Sequence, residues 1–169
     1  MEPRPRIKLI LSLLDKIIEW LCVLLFAMLW LLTIYFYFKM PQIIPTHFNG
    51  FGKPDSFGDK GTLFISPIIG SLIYVGMTTL NKYPHVFNYL STITTENARD
   101  QYGIATRTLR FIKLVVLVIF NAIVLYTYFI TEDAVGELAK WFLPMIFALI
   151  ILPIIYFIIQ VSGKNKDYN

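Results

Sequence analysis

The chain has 169 residues, 56% of them apolar, and a mean hydropathy of +0.62, too apolar for an ordinary soluble domain. Its formal charge of +4 does not point to nucleic acid, because the basic residues gather by loop instead of forming a patch. Arg4, Arg6, Lys8, Lys16, Lys82, Arg99, Arg107, Arg110, Lys113, Lys164 and Lys166 fall on one side of a four-span arrangement, and only Lys39, Lys53, Lys60 and Lys140 on the other.

Four windows carry no charged side chain: 20–38, 61–81, 114–131 and 141–163. Each is roughly 18–23 residues long, enough to cross about 30 Å of hydrocarbon. The predicted fold is all-α: one integral membrane domain over residues 1–169, a four-helix bundle with spans at about 17–39, 62–81, 108–131 and 138–161. By the positive-inside rule both termini are cytoplasmic. The lipid bilayer is then the first partner, and anionic headgroups account for the basic loops.

Before the first span, Ile7, Ile10, Leu11, Leu14, Ile17, Ile18 and Leu21 recur at helical spacing between charged residues. Two readings are open: an amphipathic helix over 7–19 on the inner interface, or a plain extension of the first span. The apolar run is longer than a signal core, and 34–38 offers no small-residue cleavage site, so the span is expected to remain as an anchor. Trp20 and the Tyr35/Tyr37 pair suit its two interfaces. The single cysteine, Cys22, lies inside it, which leaves no internal disulfide and no cysteine metal site.

The connection that follows is dense in turn chemistry: Asn49-Gly50, Gly52, Pro54-Asp55. It predicts a compact, ordered extracytoplasmic loop between the first two helices, with Phe48, Phe51 and Phe57 dipping into the interface. His47, Asn49, Asp55 and Lys60 are its candidate binding residues. His47 and Asp55 either hydrogen-bond within the loop or meet a ligand. One imidazole with Asp55 and Asp59 falls short of the three or four protein ligands zinc takes, so no metal is expected.

In the second span Ser66 and Gly70 share a face that lets another helix approach, which predicts a central position for this helix. Pro67 falls near its start, where a missing donor costs little. Asn81 and Pro84 end it, and Asn81, Pro84 and Asn88 mark a second candidate motif in the inner loop. Thr94 or Thr95 is the expected cap of the next helix. Ala98, Tyr102, Ala105, Leu109, Ile112 and Val116 form a seam that runs from the cytoplasm into the third span, with Gly103 a weak point. Arg107, Arg110 and Lys113 are expected on the other face, toward headgroups. Asn121, in mid-span, needs a partner on another helix. In the fourth span Pro144 falls in the first turn and Pro153 in the interior, where a kink is expected. Glu132, Asp133 and Glu137 make the outer connection acidic, and 164–169 reads as a frayed tail.

Two patterns carry a resemblance. The first is Pro41, Ile44, Pro45, Thr46, His47, Phe48, Asn49, then Gly52, Pro54, Asp55, then Lys60 and Gly61. The second is Asn81, Pro84, Phe87, Asn88 and Tyr89. Together, over roughly residues 20–130, the chain resembles the small membrane domain at the N-terminus of bacterial SdpI-type immunity proteins. The resemblance implies a bacterial inner-membrane protein. SdpI-type proteins protect their host against a secreted toxic peptide and act in a signalling relay. They are longer, with a second membrane region after this domain, whereas four spans are expected in the sequence here.

The spans hold no His-Glu-x-x-His, no paired glutamates and no nucleophile beside a base, so no enzyme and no cofactor is expected. The reading that fits best is a non-enzymatic membrane protein that senses or binds an envelope peptide or partner. The alternative is a small oligomeric transporter or channel component, although such proteins usually place charges inside the bilayer. An extracytoplasmic peptide, a membrane-protein partner and a homo-oligomer all remain open as partners.

Overall fold

The fold was obtained as a computed structural model, which describes residues 4–133 and 139–165. Glu137 of the expected acidic connection and residues 166–169 of the expected tail lie outside the described residues. Among the described residues, four helices are long and apolar enough to cross a membrane. They are α1 (Leu13–Lys39), α2 (Ile65–Leu80, entered through a 3-10 turn at Lys60–Phe64), α3 (Ala98–Thr131) and α4 (Ala139–Asn165). The all-α, four-span prediction holds. The ordered loop proves to be a β-hairpin, β1 (Ile43–Phe48) with β2 (Pro54–Asp59).

Residues 7–12 are not helical. Helix α1 starts at Leu13 because Ser12 and Asp15 close a capping box, each side chain accepting from the other's backbone N–H. The amphipathic stretch is thus split into an extended strap and a first-span extension. At the other loop, Asn97 takes the cap position of α3. Neither Thr94 nor Thr95, the two expected caps, takes that position; Thr94 sits one turn earlier, where its backbone N–H donates to Asn97 Oδ1 at 2.9 Å. Pro144 falls in the second turn of α4, not the first.

Helix α3, not α2, is the centre of the bundle, because among the described residues it packs most extensively on the other three helices. Its enclosed positions step by four and three: Tyr102, Thr106, Arg110, Lys113, Leu117, Asn121 and Val124. Leu109, Ile112 and Val116 of the predicted seam are only partly buried. The seam is displaced because lipid, unlike water, is a good solvent for apolar side chains, so the polar residues turn inward. Ile18, Cys22, Leu29, Thr33 and Phe36 of α1 form the matching stripe, and Phe36 stacks on Tyr128 with ring centroids 4.0 Å apart. Cys22 is packing in this core. Asn121 Nδ2 donates to Leu25 O at 3.0 Å and Leu117 O at 2.8 Å, so its amide ties α3 to α1. Outward faces carry large apolar groups such as Leu24, Leu31, Leu72 and Ile159.

Helix α2 still meets the bundle at Gly70, but Ser66 lines a cavity under the hairpin instead. Ser71 makes the polar contact, accepting from Trp30 Nε1 at 3.1 Å. The hairpin and the 81–97 loop lie at opposite ends of α2. A thiol at Ser56→Cys should therefore react with an impermeant reagent from outside, and one at Ser91→Cys should not. Native Cys22 is fully enclosed and stays silent. Equal labelling of both positions from one face would refute the arrangement.

Candidate functional site

The hairpin is built by its own backbone. Asn49 N donates to Lys53 O, and Gly52 N to Asn49 O, which closes the turn. Gly52 has φ 73°, which only glycine adopts without strain. Asn49 Oδ1 accepts from Phe51 N at 2.9 Å and Lys53 N at 3.1 Å. Asp59 caps the following 3-10 turn, with Oδ1 accepting from Gly61 N at 2.7 Å and Oδ2 from Gln42 Nε2. A register shift lies between Pro45 and His47, and it leaves Thr46 without a paired residue on β2.

Of the four predicted residues here, two meet directly: His47 Nδ1 lies 2.5 Å from Asp55 Oδ1 across the ribbon. Their side chains are 69% and 42% exposed, so the pair contributes at most about 1 kcal/mol. The turn's backbone donors Phe51 N and Lys53 N go to Asn49 Oδ1, and Asp55 meets the His47 side chain. Lys60 stands apart, with Nζ 4.7 Å from the centre of the Tyr37 ring. Phe48 is not at the surface but packs edge-on against Tyr126, whereas Phe51 and Phe57 project outward at 75% and 61% exposed. Tyr126 OH donates to Gly52 O and fastens the hairpin to α3. A cavity of about 390 Å³ lies beneath, between β1, α2, α3 and α4, with Thr46, Ser66, Ile123 and Phe142 in its lining.

Asp55→Ala should speed hydrogen exchange between 45 and 60 severalfold without changing the spans, because it removes the cross-strand His47 contact. EDTA should change nothing. Among the described residues no three His, Cys, Asp or Glu side chains converge. A stoichiometric metal lost on His47→Ala would overturn this reading.

At the other end, Pro84 is buried and opens a short 3-10 turn, Pro84–Val86. Asn81 is enclosed with both amide atoms unpaired among the described residues. Asn88 is exposed beside Tyr89 and Gln101 and does not join the other two. Tyr89 OH donates to Pro84 O at 2.8 Å, and burial pushes its hydroxyl pKa well above the ordinary value. The N-terminal strap lies over this loop: Arg4 Nη1 donates to Phe87 O at 2.6 Å, and Tyr102 OH to Pro5 O at 3.1 Å.

A third cluster escaped the sequence reading. Arg107, Arg110 and Lys113 do not face headgroups; they pair with α1. Arg107 Nε donates to Asp15 Oδ1 at 2.8 Å, Arg110 Nε to Glu19 Oε1 at 3.0 Å and Lys113 Nζ to Glu19 Oε2 at 2.6 Å. Lys113 is 0% exposed and also donates to Thr78 Oγ1 of α2 at 3.0 Å. Glu19 lies about 30 Å along α1 from Lys39, so the cluster sits near one boundary of the hydrocarbon. The available signal was two acids four apart on α1 and three cations three apart on α3.

The comparisons cover the same parts. Residues 24–70 match a family model described as a domain of unknown function (DUF1648). That match takes in most of the first span, the hairpin and the start of α2. The chain is also similar to an uncharacterized protein of the archaeon Archaeoglobus fulgidus, 27% identical over 149 residues, covering 80% of this chain and 81% of the archaeal one. An archaeal relative widens the lineages beyond the bacteria that the resemblance implied. No solved structure matches the chain.

Proposed function

We propose that the chain is a non-enzymatic multi-pass membrane protein whose hairpin receives a peptide or envelope partner on the outer side of a bacterial-type inner membrane. The observation that carries this is β2. It is exposed along most of its length and pairs on one side only, and the turn that precedes it is tied to α3 through Tyr126 and Gly52. An unpaired strand edge offers backbone donors and acceptors to an extended segment, and side-chain contacts then add selectivity. The SdpI-type immunity and signalling proteins, which the loop patterns resemble, guide the kind of partner: a secreted peptide. The route inward runs through α3 and not α2, because α3 bears both the hairpin contact and the charge cluster.

A photo-crosslinking residue placed at Ser56 tests the reading in living host cells. It should yield a discrete peptide adduct. One placed at outward-facing Leu72 should yield only lipid. Lipid alone from position 56 would sink the proposal. The buried Lys113 favours a second reading, the oligomeric transporter, since ionisable groups inside a bilayer often mark an ion path. Proteoliposomes would separate the two: proton or ion flux abolished by Lys113→Met supports transport, and no flux in wild type removes it.

A further inference from the structure

A cavity of about 540 Å³ lies between the N-terminal strap and the loop that follows α2. Arg6, Lys8 and Lys82 line it with Ile7, Tyr83 and His85, and no acidic residue does. We propose that this cavity is a specific site for the phosphate headgroup of an anionic phospholipid. It lies at the end of the molecule opposite the hairpin and is independent of the partner reading above.

The first support is the state of the cations. Arg4, Arg107, Arg110 and Lys113 all have protein partners. The side chains of Arg6, Lys8 and Lys82 have no ion pair or hydrogen bond to the described residues. Three cations with no acidic partner among the described residues repel each other around one cavity unless an anion lies between them. A phosphodiester supplies that charge and accepts from all three, and Tyr83 OH and the His85 ring add further donors.

The second support is rigidity. The strap is anchored immediately before Arg6, by Arg4 on the carbonyls of His85 and Phe87 and by Tyr102 on Pro5. Arg4 also lies over the Tyr89 ring, 5.6 Å from its centre. Arg6 therefore faces Lys82 across a cavity whose two walls are tied together, and little ordering remains to be done on binding.

The third support selects a lipid over a free phosphate ester. Lys82 follows the end of α2 at Leu80, so the cavity sits where a span leaves the hydrocarbon. Ile7 in its lining and Val86, the residue after His85, expose apolar surface at 36% and 59%. A soluble phosphate leaves that surface bare. A phospholipid covers it with acyl chain while its headgroup enters the cavity.

The test uses the full-length protein, stripped of lipid in maltoside micelles, titrated and read by native mass spectrometry. Phosphatidylglycerol should saturate at one tightly held molecule per chain. Arg6→Gln/Lys8→Gln/Lys82→Gln should weaken that binding by roughly 100-fold, since each basic group near an anionic lipid contributes about fivefold. Lys82→Gln alone, which leaves the strap untouched, should weaken it by roughly fivefold. Lys53→Gln, at the hairpin end, should leave it unchanged. Phosphatidylcholine should bind wild type no better than phosphatidylglycerol binds the triple variant. Equal phosphatidylglycerol binding by wild type and by both variants that carry Lys82→Gln would overturn the site. Displacement of the lipid by millimolar inorganic phosphate would overturn the lipid as its occupant.

Discussion

Glu19→Ala should destabilise the protein more than any other single charge removal, by about 3–5 kcal/mol in detergent unfolding. The carboxylate holds two cations at once, Arg110 at 3.0 Å and Lys113 at 2.6 Å. Arg110 is 7% exposed and Lys113 is 0%, so neither can turn to water when its partner is lost. Thr78 Oγ1 and the Tyr74 ring stay near Lys113 Nζ, but a hydroxyl and a π face offset only part of a full charge. Lys113→Met should be milder, because Glu19 keeps Arg110 and the apolar stem is replaced by a similar volume. Combining the two changes should recover stability relative to Glu19→Ala alone, since one of the stranded charges is then gone. A Glu19→Ala protein that unfolds with the wild-type midpoint would mean that water reaches Lys113 and that the cluster is not a closed one.

That cluster marks where the sequence stopped being informative. The spans were legible because each is a charge-free window of the right length, a property of consecutive residues. Which way Arg107, Arg110 and Lys113 face is not such a property. Their positions suited headgroups equally well until Asp15 and Glu19, about ninety positions earlier, were brought alongside on α1. The hairpin was half legible. Asn49 and Gly52 announced a turn and form one, whereas Pro54-Asp55, also read as turn chemistry, opens β2. The strands did not announce themselves, because Pro45 and the irregular register around His47 break the alternation that signals β structure. Among the candidate residues, only His47 and Asp55 are brought together. Asn49 is consumed by the turn, Lys60 lies on Tyr37, and Asn88 is parted from Asn81 and Pro84.

Gly70→Leu should lower the unfolding midpoint in detergent sharply, at a cost of about 1–3 kcal/mol or more from overpacking. A Cβ at this position would lie 2.9 Å from Leu29 Cδ2 and 3.4 Å from Phe120 Cδ2. Leu29 is fully enclosed, so it cannot swing aside, and a branched side chain has to separate α2 from both α1 and α3. The loss is not one of helix propensity, which favours almost any residue over glycine in a helix. Gly76, on the same helix, makes that separation testable, because a Cβ there meets nothing within 4 Å. Gly76→Leu should melt at or above the wild-type temperature, while Gly70→Leu falls well below it. Without a hydrophobic force between helices in lipid, close packing of this kind and the polar ties at Ser71 and Thr78 are what keep α2 on the bundle. Displacing α2 should also pull Thr78 from Lys113, so the Gly70→Leu and Glu19→Ala losses should fall short of additivity when combined. Equal melting of the Gly70→Leu and Gly76→Leu proteins would mean that Gly70 faces lipid and that α2 is held elsewhere.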